Sequence, residues 1–171
     1  TGSTSGIGRA TAILFAQEGA NVVVTGRRTQ LGEQVAREIR DHGGNAIYQR
    51  ADVTVADDIR ALIRCAVETY GRLDILVNNA VAGVMGAFGP ITEVTEEGWE
   101  TMLRSSLTAI LIGCKHAIPE MIKVGGGKII NMSSVHGLAV GHGMASYNTV
   151  KAGMLNLTRQ IALDFGPYGI R

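Results

Sequence analysis

The stretch TGSTSGIG, Thr1–Gly8, decides how this chain is read. Glycine stands at positions 2, 6 and 8, in the spacing G-x-x-x-G-x-G, and hydroxyl side chains fill most of the gaps. A helical pattern follows at once in IGRATAILFAQE (7–18), where Ile7, Ala10, Leu14 and Phe15 share a face and Gly19 is a natural stop. A bare loop that opens directly into a helix presents backbone N–H groups and the positive end of the helix dipole, a ready cradle for phosphate. Gly2, Gly6 and Gly8 suit that task because a Cβ at any of them would take space that a phosphate or the packed helix needs. Ser3 and Ser5 offer hydroxyls.

Outward from the loop, strands and helices alternate. NVVVTG (21–26) is a β-branched run and reads as a buried strand. An amphipathic helix over 29–42 carries Leu31, Val35 and Ile39 on one face, and AIYQRADV (46–53) is a second strand. A helix over 55–70 aligns Ile59, Leu62, Ile63 and Ala66, and LDILVNNA (73–80) is a third strand. A Gly-rich loop to about Pro90 leads into a long helix over 95–123, with a kink expected at Pro119. KIINMSS (128–134) is a fourth strand, and the last helix covers 146–165. Strands this apolar are covered on both faces. The pattern predicts a doubly wound parallel α/β sheet with right-handed crossovers in a single domain.

Composition narrows the function. The 171 residues are 46% hydrophobic and 18% charged with net charge +1, which gives no reason to expect nucleic acid or an anionic membrane as partner. No apolar run approaches the ~20 residues of a bilayer span, and a signal peptide is not expected from the opening residues. Cys65 and Cys114 are far apart and outside C-x-x-C spacing, as expected for reduced thiols in a cytoplasmic protein. The histidines at 42, 116, 136 and 142 make no ligand spacing with carboxylates or cysteines, so no metal is expected. His136 and His142 fall near the segment that carries the chemistry below and read as loop surface, with contact to substrate as the alternative.

The end of the second unit bears on which dinucleotide binds. A carboxylate there would pair with a ribose 2′-hydroxyl, but the sequence is VVVTGRR, with Arg27 and Arg28 and no acid. Arginine holds a 2′-phosphate through charge-assisted hydrogen bonds, so the expected cofactor is NADP, with NAD possible. Two solvated arginines at a helix start are the plain alternative.

With TGSTSGIG, the segments NNAV (78–81), NMSS (131–134) and YNTVK (147–151) resemble, in order and spacing, the short-chain dehydrogenase/reductase family across the whole chain. The resemblance implies a Rossmann-type three-layer α/β/α domain. It also implies hydride exchange between NADP(H) and a small carbonyl or secondary alcohol substrate. Tyr147 and Lys151 are four apart and share one face of a helix. A free phenol has a pKa of about 10, and a neighbouring ammonium favours its phenolate, so Tyr147 would serve as general acid or base. By the same resemblance Lys151 also holds the nicotinamide ribose and Ser134 polarises the substrate oxygen, with Ser133 the lesser candidate. Gly2, Ser3, Ser5, Gly6, Ile7 and Gly8 form the cofactor loop, and Asp52 with Val53 lies by the adenine. Asn78 supports the sheet, while Asn79 and Ala80 line the adenosine ribose. For Asp52 the alternative is an acid at the start of helix 55–70.

Three departures stand out. Val81 replaces the family's usual glycine, which would strain a turn of positive φ unless Gly83 takes it over. Ser106 stands where many members have an asparagine that supports a proton relay to the lysine, and it is counted with the catalytic candidates. The chain also starts where a central strand should be finishing and stops before the expected substrate loop. A fragment truncated at both ends is therefore expected, from a parent that pairs through the helices 95–123 and 146–165 as a homodimer or homotetramer. The rival readings are a non-catalytic dinucleotide-binding module, which would be free to lose Tyr147 or Lys151, and an inactive fragment.

Overall fold

A computed structural model describes residues 1–82 and 85–171. Gly83, the candidate for the turn after Val81, lies outside the described residues. The elements follow the expected alternation: α1 (Gly6–Gln17), β1 (Asn21–Gly26), α2 (Thr29–Asp41), β2 (Asn45–Arg50), α3 (Ala56–Tyr70) and β3 (Ile75–Asn78). Then come α4 (Glu96–Leu103), a π-helical turn (Arg104–Thr108), α5 (Ala109–Lys123), β4 (Lys128–Asn131) and α6 (Ala145–Phe165). Short 3-10 turns cover Val135–Gly137 and Gly166–Tyr168.

All strand pairing is parallel, as expected. β1 pairs with β2, setting Asn21 opposite Asn45 and Gly26 opposite Arg50. β3 pairs with β4, setting Ile75 opposite Lys128 and Asn78 opposite Asn131. The strands form two pairs rather than one continuous sheet. Between them lies a cleft of about 310 Å³ whose walls include Val22 and Val23 of β1, Leu76 and Val77 of β3, Phe15 of α1 and Leu62 of α3. At one end, residues 1–3 span the gap: the Thr1 amine donates to Val77 O at 2.6 Å, and Ser3 N donates to Thr25 O at 2.8 Å. Where Thr1 is the first residue, loss of hydration lowers the pKa of that amine from 8.0 to about 5.

Each strand pair has its own apolar core. Ala12, Ala16, Val24, Val35, Ala36, Ile39 and Ala46 pack α1 and α2 against β1 and β2. Ile63, Leu76, Ile110, Cys114, Ile118, Met121, Met154 and Ile170 join α3, β3, α5 and α6. A smaller cluster of Ala87, Met102 and Val150, with Leu107 and Tyr147 against it, ties α4 to the start of α6.

The buried faces of α2 and α3 are those read from the periodicity, through Val35, Ile39, Ile59, Leu62, Ile63 and Ala66; Leu31 is exposed. For α1 the face is different. Ile7 (64% exposed) and Leu14 (54%) point outward, and Gly8, Ala12 and Ala16 are buried instead. The cause is close approach: a Cβ at Gly8 would stand 2.3 Å from Gly2 O, so only small side chains fit where α1 meets the loop. The long helix also differs from expectation. It runs unbroken through Pro119, and its irregularity is the π-helical turn at Arg104–Thr108.

Candidate active site

The first loop, the end of β1, the segment after β2 and the segment after β3 meet around a second cleft of about 430 Å³. Gly2, Ser5, Ile7 and Gly8 line it from the loop and the N-terminus of α1, and Arg27 and Arg28 from the end of β1. Asp52 and Val53 close one side, and Asn79, Ala80 and Val81 the other. Gly2 has φ +67° and Gly6 φ +55°, so glycine is needed at both for backbone reasons. The Asn79 amide donates to Thr1 O at 3.0 Å, and a Cβ on Gly8 would come within 2.7 Å of its Nδ2. The loop has no room for a Cβ at Gly8 and little at Gly2, the close backbone packing that a pyrophosphate cradle requires.

Two expectations are corrected here. Ser3 does not offer its hydroxyl to the cleft. It is buried, accepts from Thr25 N at 2.8 Å and donates to Thr25 O at 3.2 Å, so it fastens the loop to β1. Val81 carries no strain, since no non-glycine residue among those described has positive φ. Thr4, which the sequence reading passed over, accepts a hydrogen bond from Arg28 Nη2 at 3.1 Å. Arg28 Nη2 also reaches Ser5 Oγ at 2.7 Å. Its neighbour Arg27 lies 4.0 Å from Asp52 Oδ2.

Asp52 does more than precede α3. Its Oδ1 accepts from Thr54 N at 2.9 Å and from Thr54 Oγ1 at 2.8 Å. Burial works against ionisation of Asp52, but the Thr54 hydrogen bonds and the charges of Arg27 and Arg50 outweigh it and hold the carboxyl below its usual range.

The second group of residues gathers where β4 ends and α6 begins. Lys151 is buried and its Nζ stands 5.5 Å from the centre of the Tyr147 ring, one helical turn away. The Lys151 ammonium donates to Met132 O, and burial lowers its pKa. Ser133 Oγ donates to Lys151 O at 3.0 Å, which takes it up structurally and leaves Ser134 as the free serine of the pair. Ser134 begins the 3-10 turn, and its Oγ accepts from His136 N at 3.2 Å. That leaves the Ser134 proton available to an outside oxygen. Phe88 and His136 flank the Tyr147 ring with centroid distances of 6.4 and 6.0 Å.

A partly buried polar chain joins β3, β4 and α6. Asn78 Nδ2 donates to Asn131 Oδ1 at 2.8 Å, and Asn131 Nδ2 donates to Thr158 Oγ1 at 2.9 Å. Asn131 stood in the NMSS segment and could have been singled out there; Thr158 gave no signal. Ser106 is buried in the π-helical turn, and its hydroxyl has no hydrogen-bond partner among the described residues. It borders a small void beside Asn78 and Ser105, and no hydrogen bond joins it to Lys151. No group of three or more potential metal ligands occurs among the described residues. No helix among them is long and apolar enough to cross a membrane.

Parallel strands with interleaved helices, and a glycine cradle at a helix N-terminus beyond the strand ends, define a Rossmann-type dinucleotide-binding protein. More narrowly, the chain belongs to the short-chain dehydrogenase family, whose model matches residues 1–171. It is 40% identical over its whole length to a cis-4-hydroxycyclohexanecarboxylate dehydrogenase of Sinomonas cyclohexanicum, covering 68% of that protein. It is 42% identical to the 2,5-dichloro-2,5-cyclohexadiene-1,4-diol dehydrogenase LinX of Sphingobium indicum, covering 67%. A 3beta-hydroxysteroid dehydrogenase of Mediterraneibacter gnavus is 36% identical over 170 residues, 60% of its length. The chain thus spans about two thirds of the curated relatives it matches. The family uses NAD(P), and the relatives named here are dehydrogenases.

Proposed function

We propose that this chain carries the cofactor cleft and the proton-transfer residues of an NADP-preferring oxidoreductase acting on secondary alcohols or ketones. The observation that carries the reading is the buried Lys151 ammonium 5.5 Å from the ring of Tyr147, beside the Ser134 turn. The residues present fit the cofactor: a glycine loop packed too closely for any Cβ at Gly8, and an arginine fixed on the loop hydroxyls. The bound nicotinamide would supply hydride acceptance and donation.

The chain's own residues do the rest. Ser134 donates its proton to the substrate oxygen and orients it. Tyr147 takes the hydroxyl proton during alcohol oxidation and returns it during ketone reduction. Lys151 lends its charge to the phenolate and holds the ribose hydroxyls. Arg28 receives the 2′-phosphate. Asp52 and Val53 border the adenine, with Asn79 and Ala80 along the adjoining ribose. The names of the relatives favour alicyclic secondary alcohols as the substrate class. In the whole protein, subunits pair through the α4–α5 and α6 helices, where Leu111 and Leu163 stand exposed, and the expected compartment is the cytoplasm.

The test is hydride transfer followed at the nicotinamide absorbance, with cis-4-hydroxycyclohexanecarboxylate and cyclohexanol and with either NADP or NAD. Tyr147→Phe should lower turnover at least ~100-fold while cofactor affinity stays unchanged. Unchanged turnover in that variant would exclude Tyr147 as the acid–base group. Cofactor binding without turnover in the parent chain would favour a binding module.

A further inference from the structure

His136 has no part in the scheme above, yet it is held with care. Its backbone N is spent on Ser134 Oγ, which fixes the turn. Its ring stands edge-on to Tyr147, at 6.0 Å and 72° between planes. Gly141 packs on one edge: a Cβ there would come 2.7 Å from Cε1 and 3.3 Å from Nδ1 of the ring. Nδ1 is enclosed on that edge with no hydrogen-bond partner. No hydrogen bond from the described residues engages Nε2, and the ring as a whole is partly exposed.

A buried N–H without an acceptor is rarer and more costly than a bare lone pair, so of the two neutral tautomers we assign the one protonated at Nε2. That gives the ring edge-on to Tyr147 one free N–H donor, on a segment where Val135, Leu138 and Val140 stand exposed. Exposed apolar side chains with one hydrogen-bond donor among them suit an apolar skeleton that carries an oxygen.

We propose that His136 is a specificity-determining residue whose Nε2–H hydrogen-bonds a second oxygen, carboxylate or hydroxyl, on a cyclic substrate whose reacting carbon faces Tyr147. This inference rests on the oxidoreductase reading of the site.

The experiment is a long-range ¹H–¹⁵N correlation of the whole chain labelled at histidine, titrated in the presence of NADP with cis-4-hydroxycyclohexanecarboxylate and, separately, with cyclohexanol. The expected result is an Nε2-protonated ring whose ¹⁵Nε2 resonance moves with the carboxylate and not with cyclohexanol. In kinetics, His136→Phe should cut the KM preference for the carboxylate over cyclohexanol about tenfold. His136→Gln should restore part of it, and His142→Phe should leave it alone. A ring protonated at Nδ1 and paired with Asn148, whose Oδ1 is likewise unpartnered, overturns the proposal. So does an absent response, or an equal response to both compounds. Hydride transfer with a silent His136 leaves the oxidoreductase reading standing. A responding His136 without hydride transfer does the reverse.

Discussion

Arg27 and Arg28 are neighbours in sequence with different surroundings. Arg27 faces the Asp52 carboxylate, which partly satisfies its charge. Arg28 rests on two neutral hydroxyls, Thr4 and Ser5, and keeps its full charge for an anion. The two should therefore differ in effect. Arg28→Ala is expected to weaken NADPH binding by about 10- to 100-fold and NADH binding by less than about threefold, read by fluorescence titration. Arg27→Ala should affect both cofactors alike, because it loosens Asp52. The arginines and the missing carboxylate were legible in VVVTGRR; which arginine is free was not, since that depends on where Asp52 and Thr4 arrive from distant segments. Ser3 shows the same limit. A serine in a phosphate loop reads as a ligand until the fold shows it satisfied twice by the backbone of Thr25.

At the scale of elements, the segment from Glu96 to Lys123 teaches most. Proline at 119 was the visible irregularity, yet the helix continues through it, and the π-helical turn falls instead at Arg104–Thr108. The turn encloses Ser105 and Ser106. Ser105 Oγ donates to Met102 O at 3.4 Å, while Ser106 Oγ is left unpartnered. An unpaired buried hydroxyl opposes folding, so Ser106→Ala should leave the urea unfolding midpoint unchanged or raise stability by up to about 1 kcal/mol. Turnover should stay within about threefold; a larger loss would give Ser106 the relay role its position implies. The order and type of elements followed from periodicity and glycine punctuation. The buried face of α1 did not, because small residues selected by close approach leave no apolar signature. Tyr147 and Lys151 were singled out by the combined motifs that resemble the family, and their spacing of four only put them on one helix face. The Asn78–Asn131–Thr158 chain that holds that helix in place joins three elements, and no local pattern announces it.

At the scale of the whole molecule, burial of a Thr1 amine makes stability depend on pH wherever Thr1 begins the chain. In a chain whose first residue is Thr1, the unfolded amine keeps its proton up to pH 8.0, the folded amine only to about 5. Across that window unfolding takes up a proton, so stability rises with pH and is lowest at or below about 5. The full span is about 4 kcal/mol, at about 1.4 kcal/mol per pKa unit. Thermal melts between pH 5 and 8 should show the slope, and acetylating the amine or extending the chain upstream of Thr1 should abolish it. An upstream extension with an apolar, β-branched strand sequence should also raise the melting temperature, because Val22, Val23, Leu76 and Val77 line the gap.

Two cores that share little contact need not melt together. Amide exchange on the free chain should resolve two cooperative units, one holding Val24 and Ala36, the other Leu76 and Ile118. The dinucleotide cleft takes its walls from both, with Arg28 and Asp52 from the first and Asn79 and Ala80 from the second. A bound dinucleotide would then act as a rivet: opening either unit would mean releasing it, and the two protection levels would merge into one. Cofactor, on this view, is part of what makes the chain a single folding unit.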